Sequence, residues 1–156
     1  MKKRTVILTV IMMAIFVSTD AFAQDQKRQA GYNLQNGIAA KAYDVVAYFT
    51  TSKAIKGNSA NSVVYQGVKY EFANTANKEE FKKNPLKYEP QYGGWCAYAM
   101  GATGEKVDID PETFKIINGK LYLFYNKFFN NTLKTWNKDE ANLKTKADVN
   151  WLKIYK

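Results

Sequence analysis

The stretch TFKIINGKLYLFY, from Thr113 to Tyr125, decides the fold class of this chain. Two runs of β-branched and aromatic residues flank Asn118-Gly119, and Asn-Gly between such runs is the strongest short signal for a β-hairpin. A second pair of runs, Ser62–Tyr65 and Val68–Phe72, meets at Gln66-Gly67. The sequence therefore predicts two β-hairpins.

Helical patterns follow and separate the hairpins. Asn74 or Thr75 can cap a helix that turns Phe81 inward. Asn84-Pro85 stops or restarts this helix, because proline disfavours helix in the residue before it. Apolar spacing predicts three more helices, at residues 95–100, 127–136 and 138–152. We expect an α+β fold, a small single domain with two β-hairpins and several short helices.

The start of the chain has the pattern of a signal peptide. Positive residues 2–4 precede an apolar run over residues 5–17, and Ala21-Phe22-Ala23 fits the small-x-small cleavage rule. The run is too short to span a bilayer, which needs about 20 residues. We expect residues 1–23 to be removed and the product to be exported, to the periplasm. Residues 24–31 then form a flexible N-terminal arm, and residues 32–156 form the domain.

Charge and composition limit the function. The formal charge is +9, and residues 1–23 carry +2 of it, so the remainder is near +7. The lysines are scattered, which fits either an anionic envelope surface as a partner or a plain solvated surface. Arg28 is the only arginine beyond Arg4, and nucleic-acid sites depend on arginine, so we expect no nucleic-acid partner. The chain has no histidine and one cysteine, Cys96, which excludes a Cys-His hydrolase and a four-ligand structural zinc site.

Four blocks of sequence resemble the stand-alone, exported YHS-domain proteins. The blocks are YDVVAYF (43–49), VVYQGVKYEFAN (63–74), EFKKNPLKYEPQYGGWCAYAM (80–100) and INGKLYLFYN (117–126), and the pattern KADVNW (146–151) completes the resemblance. The resemblance implies a module associated with heavy metals. This chain departs from its cysteine-rich relatives, because residues 72–77 contain no cysteine and Val45 stands where proline is usual.

Cys96 and Met100 are the candidate metal ligands. They are four residues apart, so on a helix they share a face, and copper(I) accepts thiolate and thioether ligands. Copper is therefore the candidate cofactor. Two other interpretations of Cys96 stay open: a reactive thiol whose pKa is lowered at the positive end of a short helix, and a small buried side chain that only packs.

A second candidate site is an aromatic pocket for a small ligand. Asp44 lies inside an apolar run and could line such a pocket, or could cap a turn by accepting backbone N–H bonds. Tyr48, Tyr92, Trp95 and Tyr98 could supply its walls, although aromatic residues at such spacings also build cores.

No catalytic constellation is present in the sequence, so we expect binding rather than catalysis. The first hypothesis is an exported YHS-family module that binds a soft metal or a small ligand. The alternatives are a structural or interaction domain for a partner in the cell envelope, and a thiol-dependent redox protein.

Overall fold

Eight short strands form three sheets in the computed structural model, which describes residues 23–155. The largest sheet has four strands in the order β1-β2-β4-β3, in which β2 and β4 are parallel and the other neighbours are antiparallel. The other two sheets are the antiparallel pairs β5-β6 and β7-β8. The strands are β1 (Leu34–Gln35), β2 (Ile38–Ala39), β3 (Asn58–Tyr65), β4 (Val68–Phe72), β5 (Asp110–Ile117), β6 (Lys120–Phe124), β7 (Asn126–Lys127) and β8 (Asn130–Asn131).

Both predicted hairpins are confirmed, and in each the two-residue turn sets the register. Tyr65 pairs with Val68 across Gln66-Gly67, and Ile117 pairs with Lys120 across Asn118-Gly119. Both residues of each turn have positive φ, the backbone that the favoured two-residue turns require. The α+β class, with small sheets and helices in one small domain, is confirmed.

Seven α-helices surround the sheets within the described residues. The first, α1, covers residues 23–31. The others are α2 (Ala47–Thr50), α3 (Thr75–Lys83), α4 (Pro85–Tyr88), α5 (Ala97–Ala102), α6 (Thr132–Trp136) and α7 (Glu140–Ile154). Asn74 caps α3 as expected, because its side chain accepts a hydrogen bond from the Asn77 N–H.

The helix predicted at residues 127–136 is wrong in its first half. Residues 126–131 form the small β7–β8 hairpin, and helix α6 begins only at Thr132. Phe128 and Phe129, which belong to the apolar spacing that predicts this helix, are both exposed at the turn between the strands. The side chain of Asn131 caps α6 by accepting a hydrogen bond from the Leu133 N–H. The position of this cap, and not the spacing of the apolar residues, therefore determines where the helix begins.

The expectation of a flexible arm at residues 24–31 also differs from the structure. These residues are helical, and Arg28 is buried with only 5% of its surface exposed. Its guanidinium forms an ion pair with Glu89, and its Nε donates to the Gln66 carbonyl at 3.3 Å. A buried ion pair that is also hydrogen-bonded holds this helix against the sheet.

Two hydrophobic clusters form the core. The first lies between the four-stranded sheet, α2, α3 and β6, and its large members include Tyr48, Phe72 and Phe81. The second lies between β6, α5, α6 and α7 around Trp136 and Tyr122. Side chains on β6 alternate between the clusters, with Leu121 and Leu123 in the first and Tyr122 and Phe124 in the second. This alternation follows from the period of two along a strand.

The predicted signal peptide lies, except for Ala23, outside the described residues. Among residues 23–155, none of the helices combines the length and the apolar character needed to cross a membrane.

Candidate functional site: a cavity beside Cys96

A cavity of about 450 Å³ lies beside the start of helix α5. Its walls come from α5, from the segment that follows it, and from the chain between β6 and α6. We call it the Cys96 cavity. The residues that line it are Cys96, Tyr98, Ala99, Ala102, Thr103, Glu105, Val107, Tyr125, Asn130 and Thr132. Two of the residues predicted for separate sites, Cys96 and Tyr98, therefore lie side by side.

Cys96 is fully buried although it forms part of the cavity wall. It precedes α5 directly, and its backbone N–H donates to the Val107 carbonyl at 2.9 Å. The predicted helix at residues 95–100 begins two residues later than expected, at Ala97, and runs on through Gly101 to Ala102. The backbone of Cys96 is therefore fixed between the start of α5 and the segment that follows this helix.

The thiol of Cys96 has two polar neighbours. The Tyr125 N–H donates to Sγ at 3.3 Å, and the Thr132 hydroxyl oxygen lies 3.5 Å from Sγ. Because the single Thr132 hydroxyl proton is donated to the Tyr125 carbonyl at 2.8 Å, the thiol proton is left to donate to Thr132. The hydrogen bond from Cys96 to Thr132 therefore needs the thiol proton, which a metal-bound thiolate does not have.

Met100, the second predicted metal ligand, is fully buried one turn further along α5. Its side chain belongs to the cluster around Trp136, whereas Cys96 belongs to the cluster around the four-stranded sheet. The structure therefore does not bring the two sulfur-bearing side chains together in one packed region. Within residues 23–155, no three side chains of His, Cys, Asp or Glu are grouped so that they could hold a metal ion.

Asp44 is fully buried and occupied with backbone groups. Its Oδ1 accepts from the N–H groups of Val46 and Ala47 at 2.9 and 3.2 Å, at the start of α2. Its Oδ2 accepts from the Ala73 N–H at 2.9 Å and from Asn77 Nδ2 at 2.7 Å, where β4 passes into α3. The carboxylate thus joins two helix starts, which matches the capping alternative, and no lone-pair direction is left for a ligand.

The predicted aromatic pocket is divided among four places. Tyr48 is in the core, where its hydroxyl donates to the Pro111 carbonyl at 2.9 Å. Trp95 is half-buried, and its Nε1 donates to the Gly31 carbonyl at 2.8 Å, which ties the end of α1 to the domain. Tyr92 lines a separate groove, and only Tyr98 lies at the Cys96 cavity. Aromatic residues close together in the sequence therefore do not share one site.

The groove at Tyr92 has a volume of about 340 Å³ and lies between α7 and the chain around Pro90. The Tyr92 hydroxyl donates to Asp148 Oδ1 at 2.8 Å, and Lys144 pairs with Asp148 Oδ2 at 2.8 Å. Burial and the hydrogen bond to Asp148 raise the pKa of Tyr92. Asp148 is thus already paired with a lysine on its own helix, and Glu89, the other carboxylate in the lining, is paired with Arg28.

Sequence reasoning missed a buried polar network under α1. Glu89 accepts from Arg28 and from the Tyr70 hydroxyl, the latter at 2.6 Å, and Arg28 Nη1 donates to the Tyr32 hydroxyl at 2.9 Å. Burial, strengthened by the nearby Glu89 carboxylate, raises the pKa of Tyr70 and of Tyr32. The one available signal was that Arg28 is the only arginine in residues 24–156, among nineteen lysines. Arginine is the cation that buried pairs favour.

Comparison with known proteins adds no relative. No protein-family model, no curated protein and no solved structure matches this chain.

Proposed function

We propose that this chain is an exported binding module of the YHS type, without catalytic activity, which holds a small, largely apolar molecule in the Cys96 cavity. The observation that carries the proposal is the cavity itself. Its volume of about 450 Å³ falls in the range of small-molecule sites, roughly 300–1,000 Å³.

The lining indicates the class of ligand. Tyr98, Val107 and the alanines of α5 supply apolar surface, and Tyr125 adds a second aromatic ring. Asn130 and Glu105 are exposed members of the lining and can bind a hydrogen-bonding group of the ligand. An apolar wall with a few polar groups is the usual composition of such sites. The ligand that fits is a small aromatic or aliphatic molecule that carries an amine or a hydroxyl group.

The resemblance to YHS proteins supports a binding role and leaves the ligand open between a soft metal and an organic molecule. The geometry favours the organic molecule, because Met100 packs in the other cluster and the Cys96 thiol already has two polar neighbours. A single sulfur ligand is also a weak basis for a copper(I) site. The redox alternative is disfavoured by the complete burial of the thiol, since reactive cysteines are partly exposed.

The test is a screen by two-dimensional ¹H–¹⁵N NMR with a library of small aromatic and aliphatic amines and alcohols. We expect hits to shift the amide signals of Ala99, Val107 and Thr132, which surround the cavity. Ala102→Trp, at an exposed position of the lining, should fill the cavity and abolish those shifts. Ala141→Trp, at an exposed position of α7 outside the cavity, is the matched control and should leave them unchanged.

Two results would contradict the proposal. One is a set of hits whose shifts persist in Ala102→Trp. The other is stoichiometric copper(I) binding, measured against a calibrated chelator, that is lost in Cys96→Ser and weakened in Met100→Leu. The second result would establish the soft-metal version in place of the organic one.

A further inference from the structure

The turn between β7 and β8 differs from the other two-residue hairpin turns within residues 23–155. Phe128 and Phe129 are the two turn residues, and their φ angles are +51° and +65°. A left-handed backbone is unfavourable for a residue with a Cβ, and most of all for a bulky one. Among the described residues, each of the other three two-residue hairpin turns has glycine at its second position: Asn36-Gly37, Gln66-Gly67 and Asn118-Gly119.

Both phenylalanine rings of this turn are in solvent. Phe128 is 88% exposed and Phe129 is 111% exposed, the two highest values among the large apolar residues of the described chain. Neither ring belongs to either core cluster. The turn therefore combines backbone strain with two aromatic rings that lie outside the core. Strained backbone of this kind persists mainly where it has a function.

The segment that carries this turn has charge of one sign only. The segment from Asn126 to Lys138 contains three lysines and no acidic residue. Lys127 and Lys134 are exposed, and no carboxylate of residues 23–155 forms a salt bridge with them. Lys127 is one position from the rings, and Lys134 lies in the helix that follows the hairpin directly. Apolar rings at a protruding tip with positive charge beside them are the elements of an interfacial membrane anchor.

We propose that the Phe128–Phe129 turn inserts into the surface of an anionic lipid bilayer, with Lys127 and Lys134 against the phosphate groups. A two-residue turn is convex, so its rings can enter the region below the lipid headgroups without any change in the rest of the fold. The lysines complement anionic headgroups, and each lysine near such a surface strengthens binding by about fivefold. The anchor lies on the bilayer and does not cross it.

The experiment measures vesicle binding and stability on the same variants. The full coding sequence is expressed, the product is purified as it accumulates, and binding to phosphatidylcholine vesicles with and without one-quarter phosphatidylglycerol is followed by co-sedimentation. The test variant is F128N/F129G, which installs the turn residues found at Asn118-Gly119. The matched control is Val64→Ser, which removes an exposed apolar side chain from β3.

We expect wild type to bind the anionic vesicles, with weaker binding at high salt and on neutral vesicles. F128N/F129G should lose about tenfold or more of this affinity. It should also unfold at a higher urea concentration than wild type, because the strain is relieved. Loss of binding together with a gain in stability cannot come from damage to the fold. Lys127→Ala should bind about fivefold more weakly, and Val64→Ser should bind like wild type.

Three results would overturn the proposal. The first is F128N/F129G binding as tightly as wild type. The second is an equal loss of binding in Val64→Ser, which would show nonspecific adsorption. The third is the absence of vesicle binding in wild type. This result would overturn the proposal even if the turn were found to bind a protein instead.

Discussion

Replacing Asp44 by asparagine should be far more damaging than a change of one atom suggests. In Asp44→Asn, one side-chain oxygen remains to accept from Val46 and Ala47. The other oxygen becomes an NH₂ group that faces two donors, the Ala73 N–H and Asn77 Nδ2. Two charge-assisted hydrogen bonds are then lost, each with a contribution of about 1.5–3 kcal/mol.

The expected cost is about 3 kcal/mol, the lower end of that sum, because Ala73 and Asn77 are only half-buried and water can reach their donors. Equilibrium unfolding in urea at pH 7 measures it. With a slope of about 1.5 kcal/mol per molar urea, the midpoint should fall by about 2 M. Asp139→Asn, a charge-matched change at an exposed position, should shift the free energy of unfolding by no more than about 0.5 kcal/mol.

A second substitution tests the geometry of this contact. Asn77→Asp alone places a carboxylate against the Asp44 carboxylate and should also destabilise the fold. In the double variant D44N/N77D, the side-chain amide introduced at position 44 can donate to the new carboxylate at position 77. Part of the loss should then return, by about 1–2 kcal/mol relative to additivity. A loss below about 1 kcal/mol in Asp44→Asn, or simple additivity in the double variant, would refute the assignment of Asp44 as the group that joins α2 to α3.

Three further outcomes are expected. The Cys96 thiol should resist alkylation in the native protein and react at once in 6 M guanidinium (about the strength that unfolds ordinary domains); fast native alkylation would contradict its burial. Burial raises the pKa of Tyr48 and Tyr70 above the ordinary value of 10.0, so their share of stability is complete below pH 10 and is lost as the pH rises above it. Phenolate absorbance should therefore appear together with unfolding in alkali, and gradual ionisation with native circular dichroism would count against this. Ala42 has φ of +64°, so Ala42→Gly should stabilise the fold by about 1 kcal/mol in urea unfolding, and a destabilised variant would show that no strain exists there.

The parts of the fold that the sequence predicted are those governed by neighbours in the chain. Asn118-Gly119 and Gln66-Gly67 form turns because glycine accepts positive φ, and Asn74 caps a helix because its side chain reaches the N–H three residues on. Both effects act within four residues. The hairpins and α3 were therefore predictable without knowledge of the rest of the molecule.

The parts that the sequence did not predict depend on contacts between distant residues or on surface exposure. The partner of Arg28 is 61 positions away, so nothing near Arg28 shows that the helix it belongs to is docked. Phe128 is apolar like a core residue, but its ring is exposed to solvent. The spacing of apolar residues does not distinguish an exposed phenylalanine from a buried one. The candidate site shows the same limit, since Cys96 and Tyr98 meet at one cavity while Met100 and Tyr92 pack elsewhere.

The cover over the Cys96 thiol has a consequence for the order of events in biosynthesis. The groups that enclose Sγ belong to Tyr125 and Thr132, which leave the ribosome 29 and 36 residues after Cys96. Until they arrive the sulfur is open to any oxidant or mixed disulfide in the surroundings, and afterwards it has no accessible surface. An adduct formed in that interval would take the place of the Tyr125 N–H and the Thr132 hydroxyl at Sγ, and so oppose the closure of these residues over the sulfur. The Cys96 thiol can therefore react with oxidants only until the last third of the chain has folded over it.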